Sequence, residues 1–231
     1  MSTLLSTVVR HDVRLQYRYG IYAAYGFVVA IYITILTLAG PYLPHWVPAA
    51  LIFTDPAALG FFFLGALMML EKAEGVRLAL AVTPVTAAAY LAGKTITLTG
   101  MALLACAALM PVMGHVTDPA LLLAAVALTS IQYVGIGVPI ALRFRTVNGY
   151  LIGSAGFLTP LIAPGFLALL DPMPIWLAVL PAISQFRLFL VATGAATAEP
   201  AEIAFMLAIC AAAAGGGLWL ALRFLKPEIG K

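Results

Sequence analysis

The sequence predicts an all-α integral membrane protein with six transmembrane helices, and three observations predict it. First, the 231-residue chain is 64% hydrophobic and 9% charged, with a mean hydropathy of +1.08. A soluble domain carries about 25% charged residues, so this chain needs a lipid cover. Second, apolar residues run through positions 21–40, 56–70, 88–113, 120–142, 149–170 and 203–222. A helix crosses a bilayer with roughly 20 such residues. Runs of this length exceed barrel strands, and lipid leaves no partner for open backbone, so the spans are helices. Third, the basic residues are distributed as topology requires. Lys and Arg collect in cytoplasmic loops. With the N-terminus inside, Arg10, Arg14, Arg18, Lys72, Arg77, Lys94, Arg143, Arg145, Arg223, Lys226 and Lys231 all lie on the cytoplasmic side. Arg187 alone lies outside, among outer connections holding Asp55, Asp118, Asp171, Glu199 and Glu202. Both termini are therefore expected in the cytoplasm, and the net charge of +3 reflects topology without nucleic-acid binding.

Residues 3–19 read as an amphipathic helix, with Leu4, Val8, Leu15 and Tyr19 on one face and Arg10, Arg14 and Arg18 in a separate stripe. Such a helix lies in the membrane interface with its basic edge toward lipid phosphates. It serves as a surface anchor, or as an elbow helix (1–20) that also rests on a cytoplasmic subunit. The outer loop Gly40–Pro48 holds three prolines and cannot continue a helix. His45 and, on another outer loop, His115 offer no metal-ligand spacing. Phe53-Thr54-Asp55-Pro56 reads as a corner into the second span, whose run of 56–70 is short, so its start is open to lying earlier.

The charged elbow Glu71-Lys72-Ala73-Glu74-Gly75-Val76-Arg77 leaves the apolar phase abruptly. Glu71, Lys72, Glu74 and Arg77 are spaced for i, i+3 pairs in water, and Gly75 permits a bend. Thr83 reads as the N-cap and Pro84 as the first residue of the next helix. A helix from there to Met113 would be about 45 Å long against about 30 Å of hydrocarbon, so its first two or three turns are expected to project into the cytoplasm or run along the interface. Either the elbow is an ordinary solvated loop or a cytoplasmic partner pushes on it. Gly93-Lys94-Thr95 imitates the tail of a phosphate-binding loop, but Ala88 stands where the glycine belongs and no strand precedes it. Any ATP must therefore be bound by another polypeptide.

Gln132 and Pro139 lie in the fourth span, and Pro139 should kink it. Gly153, Gly156, Pro160, Pro164 and Gly165 make the fifth readily bent. Pro172, Pro174 and Pro181 break the outer stretch 171–193 into short pieces, read as a re-entrant or half-length helix. Within it Arg187 has three readings: it snorkels to headgroups, pairs with Asp171 or Glu199, or meets an anionic substrate. Cys106 and Cys210 sit mid-span, where a free cysteine packs as a small hydrophobe. No cleavable leader is expected, because the first apolar run follows a polar lead and is too long.

The stretch 53–65 (Phe-Thr-Asp-Pro-Ala-Ala-Leu-Gly-Phe-Phe-Phe-Leu-Gly), Leu70-Glu71-Lys72 with Glu74, Thr83-Pro84 and Tyr90-Leu91-Ala92-Gly93-Lys94 resembles permease subunits of type-2 ABC exporters, the group of fluoroquinolone-export permeases in particular. Arg14–Gly20 and Leu180–Gln185 look similar too, although Ser184-Gln185 stands in place of Thr-Gln and Arg187 follows it. The resemblance implies a single six-helix permease domain in a prokaryotic inner membrane, paired with itself or a second permease. It also implies a separate ATP-binding subunit carrying ATP and Mg, and a cytoplasmic coupling helix within 71–83 that docks on it.

Three function classes follow. An exporter subunit would move a hydrophobic or amphipathic molecule past an aromatic wall, with Phe61, Phe62, Phe63, Gln132, Gln185 and Arg187 as pathway candidates. Ion-coupled transport would need ionisable groups within the spans, where only Lys94 is expected. An intramembrane enzyme would need converging acid, base or metal ligands, which the sequence does not offer. A non-catalytic scaffold remains as the alternative to the exporter.

Overall fold

The computed structural model describes residues 2–76, 83 and 85–229. Among them, six helices are long and apolar enough to cross a membrane: Ile21–Tyr42, Val47–Ala73, Ala87–Val112, Pro119–Ala141, Val147–Leu169 and Pro200–Glu228. We number the α-helices α1 (Ser2–Arg18), α2 (Ile21–Ala39), α3 (Val47–Ala58), α4 (Leu64–Ala73), α5 (Ala87–Leu109), α6 (Pro119–Ala141), α7 (Val147–Ile162), α8 (Pro181–Ala192) and α9 (Pro200–Ile229).

The second span differs most from expectation. Asp55-Pro56 forms no corner, because Pro56 lies inside α3 and the helix continues through one π turn, Leu59–Phe63, into α4. Proline lacks the N–H that would bond back to the Ile52 carbonyl, yet the helix runs on through it. The Tyr150 hydroxyl donates to the Phe61 carbonyl within that π turn. Glycines admit two neighbours to this part of the span, Gly65 the Tyr150 ring and Gly60 the backbone of Tyr133 and Val134. A Cβ on Gly65 would run into the Tyr150 ring, and one on Gly60 would meet Val134 N at 2.8 Å. Asp55 is consequently buried in the span and not in an outer connection, and the Tyr25 hydroxyl donates to it.

Helix α6 is the axis of the molecule, packing against α3, α4, α5, α8 and α9. Its contact with α9 is the closest, because Gly135 lies directly on Gly217, and a Cβ on Gly217 would stand 3.0 Å from the Gln132 carbonyl oxygen. Small residues let backbones approach in this way, replacing a hydrophobic drive that lipid cannot supply. Pro139 falls in the last turn of α6. After α7, the 3₁₀ segments Ala163–Leu169 and Ile175–Val179 lead to α8. That helix has 12 residues, about 18 Å at 1.5 Å per residue, too short to cross. Phe186 on α8 stacks on Phe53 with centroids 5.0 Å apart, and Phe166 meets it edge-on at 5.3 Å.

The loops at one end converge. The Thr117 and Asp118 amides donate to the Ala192 carbonyl at 2.9 and 3.1 Å, binding the start of α6 to the end of α8. At the other end, α1 turns into α2 at Gly20, whose φ of 70° suits glycine, and then lies against the first turns of α5. A Cβ on Gly93 would stand 2.7 Å from the Val8 side chain. Helix α1 thus covers the first turns of α5, where Ala87, Tyr90, Leu91 and Lys94 are buried.

Candidate functional site: a buried ion cluster beside the elbow

Lys94 sits in the second turn of α5, 2% exposed, and its ammonium binds two carboxylates, Asp12 of α1 and Glu71 of α4. Every remaining carboxylate oxygen accepts a hydrogen bond. Gln16 Nε2 and Thr97 Oγ1 donate to Asp12 Oδ2 at 2.7 and 2.5 Å. The Tyr90 hydroxyl donates to Glu71 Oε2 at 2.5 Å. Gln16 also donates to Thr97 Oγ1 at 2.7 Å. An ion withdrawn from water carries a penalty of several kcal/mol, offset only where partners and hydrogen bonds are complete. This network meets that condition at both carboxylates and joins three helices.

Each member is placed by local sequence logic. Asp12 and Gln16 are one turn apart on the face of α1 that also carries Val8 and Leu15, whereas Arg10, Arg14 and Arg18 point to the surface. Tyr90, Lys94 and Thr97 recur at helical spacing on α5. Glu71 is the third residue from the end of α4. Beside the cluster lies a cavity of about 190 Å³ whose walls include His11, Asp12, Glu71 and Lys94 together with Val76 and Thr83 of the elbow.

These positions revise the expected elbow chemistry. Glu71 is not a solvated partner of its i+3 neighbours, because it turns inward to Lys94. Glu74 pairs instead with Arg18 at 3.5 Å, both side chains exposed, while Lys72 is exposed and Gly75 has a φ of 73°. Thr83 does not cap α5. Thr86 does, accepting from the Ala89 amide at 3.2 Å, while Thr83 Oγ1 accepts from the Val85 amide at 3.4 Å. The helix starts three residues later than the Thr83-Pro84 reading because Thr86 has the extended φ/ψ an N-cap requires. Arg77 and Pro84 lie outside the described residues, as do 78–82 of the expected coupling region.

The pathway candidates divide. Gln132 on α6 and Gln185 on α8 meet: Gln185 Nε2 donates to Gln132 Oε1 at 2.6 Å, and both are buried. Gln185 Oε1 and the nearby Tyr133 hydroxyl are buried without a hydrogen-bond partner. Phe61 is fully buried beside Tyr133, so it packs the interior. Phe62 lies against α7, and Phe63 meets Tyr25 edge-on at 6.0 Å. Arg187 pairs with neither Asp171 nor Glu199; its guanidinium donates to the carbonyls of Ala168 and Thr197 at 3.1 and 3.2 Å. His45 and His115 line one cavity, yet no group of three or more His, Cys, Asp or Glu suited to a metal occurs among the described residues.

Sequence reasoning missed Asp12, Gln16, Tyr90 and Thr97 and placed Asp55 in a loop. The expectation that Lys94 alone is ionisable within the spans is corrected: Asp55 and Glu71 are buried there too. Two signals were present in the chain. Asp12 interrupts the apolar stripe of α1, and a lysine inside an apolar run requires counter-charges.

No protein-family model, no curated protein and no solved structure matches the chain.

Proposed function

We propose that the chain is the membrane-spanning permease of an ATP-driven exporter, moving a hydrophobic or amphipathic molecule outward on energy from a separate ATP-binding subunit. The observation that carries this reading is the shared wall of the cavity at the ion cluster. Elbow residues Val76 and Thr83 line it together with Asp12, Glu71 and Lys94, which bind α1, α4 and α5 to one another. Force applied at the elbow by a docked subunit would reach three helices through one set of ion pairs. Rigid packed elements convert such a push into a switch between discrete arrangements. In this reading both termini are cytoplasmic, α1 lies in the inner interface with Arg10, Arg14 and Arg18 toward lipid phosphates, and 71–83 docks on the ATPase. Residues 171–193 form the outer re-entrant segment. Two copies, or this chain and a second permease, complete the pathway.

The test is co-purification in detergent after expression with the neighbouring genes, followed by an ATPase assay. A stoichiometric ATPase whose binding is lost on deleting 72–76 supports the proposal. A lone membrane protein with no ATPase from any neighbouring gene would indicate a scaffold instead.

A further inference from the structure

Arg187 is a part-buried cation without an anion. Its guanidinium is fixed by two backbone carbonyls, and it forms no ion pair among the described residues. It lines a cavity of about 550 Å³ whose walls include His45, Trp46, Asp171 and Leu190. A second cavity of about 600 Å³, lined by His115 and Thr117, shares Pro44, His45, Gly194 and Ala195 with it. The two are neighbouring parts of one vestibule at the end of the bundle where the loops converge. A guanidinium has five N–H donors, and two carbonyls leave others free. Carbonyl partners hold it in place without neutralising it. Asp171 shares the cavity but is exposed and makes no ion pair with Arg187.

From this we infer that the vestibule is a binding site for an amphiphile bearing a phosphate or carboxylate, whose anionic group meets Arg187 and whose apolar part lies against Trp46 and Leu190. A planar guanidinium recognises such oxyanions through paired hydrogen bonds, so it selects phosphate and carboxylate over neutral heads. A transported solute and an anionic lipid headgroup offer the same chemistry. The site does not depend on the exporter reading, since binding is measured without ATP or a partner.

Trp46 provides the reporter. A full-length variant with Trp176→Phe and Trp219→Phe retains Trp46 as its sole tryptophan. In phosphatidylcholine nanodiscs, titration with hexyl phosphate should give a saturable change in Trp46 fluorescence, and hexanol and hexyltrimethylammonium should not. Arg187→Gln should weaken hexyl phosphate binding roughly 10- to 100-fold, as loss of a charge-assisted hydrogen bond implies. Asp171→Asn, at an exposed position that leaves the Arg187 anchors intact, should tighten binding by about 2- to 5-fold through removal of a nearby like charge. Equal responses to all three hexyl compounds, or hexyl phosphate affinity unchanged in both variants, would overturn the assignment. If Arg187→Gln does not fold, Asp171→Asn and the three-compound comparison decide it. Competition by phosphatidylglycerol added to the nanodiscs identifies a lipid headgroup as the occupant, and its absence identifies a free solute.

Discussion

Lys94 binds Asp12 across 82 positions of chain and through it holds an N-terminal helix onto the third span. The second contact of Lys94, to Glu71, adds the end of the second span to the same knot. Two carboxylates share one ammonium, so the lysine is the member whose loss leaves the most uncompensated charge.

Replacing Lys94 with Met should therefore be severe. Breaking a buried pair from one side costs about 3–5 kcal/mol, because the abandoned charges stay desolvated. Thermal unfolding in detergent should show a large fall for Lys94→Met. Adding Asp12→Asn and Glu71→Gln should restore most of it, since a neutral hydrogen-bonded set removes the desolvation penalty. A triple variant as unstable as the single one would mean that geometry, and not charge balance, holds these helices together.

Contrasting glycines test the packing of the bundle. Gly135 lies on the Gly217 backbone, so a methyl group there must push α9 away from α6. Gly135→Ala should cost about 1–3 kcal/mol, the usual penalty of overpacking. Gly156 of α7 has nothing within 4 Å of its missing Cβ, and Gly156→Ala should be neutral or stabilise by roughly 0.5–1 kcal/mol through helix propensity. The two melting temperatures, compared with the parent, check both signs together.

How far the sequence carried the reading depends on whether a signal was local. The spans were legible because apolar length is a property of one segment, and all six expected runs fall on the helices found, to within a residue at their ends or inside them. The second run, 56–70, was truncated because Asp55-Pro56 looks like a break, whereas the helix extends from Val47 to Ala73. A proline inside a membrane helix is tolerated within a packed bundle, and the π turn that follows it is held by a distant partner, with Tyr150 of α7 donating to the Phe61 carbonyl. That partner is 89 positions away and invisible to local pattern. The ion cluster was half legible. Lys94 was conspicuous, but its carboxylates come from α1 and α4, and Glu71 looked like a surface residue because Lys72 and Glu74 flank it. Glu71 still lies within α4 and faces α5, whereas Glu74 is the C-cap beyond the helix and its side chain is exposed, a difference that depends on where α4 ends and on the packing of α1 against α5.

The exposed pair at the elbow separates coupling from stability. Arg18 and Glu74 lie 3.5 Å apart, with their side chains 70% and 38% exposed, a setting worth no more than about 1 kcal/mol. Glu74→Arg should leave the melting temperature nearly unchanged. On the proposed function it should reduce stimulation of the partner ATPase several-fold, and the exchange Arg18→Glu with Glu74→Arg should recover it. Unaltered stimulation in Glu74→Arg would remove Glu74 from the coupling surface without touching the role of Lys94, whose effect is read by unfolding.

Sidedness can be tested independently of any partner. Cys106 and Cys210 are buried, so replacing both with Ala gives a background for single reporters. His45→Cys and Thr197→Cys lie at the end of the bundle where the vestibule opens, and Lys72→Cys and Arg145→Cys lie at the other. With the basic loops held in the cytoplasm, a membrane-impermeant maleimide should label the first two in intact cells and the last two only after permeabilisation. The reverse pattern would place the elbow outside, where no cytoplasmic ATPase could reach Val76 or Glu74, and would turn the Arg187 vestibule toward the cytoplasm. The reverse labelling pattern would thus exclude the exporter reading before any transport is measured, while the anion-binding test at Arg187 holds for either orientation.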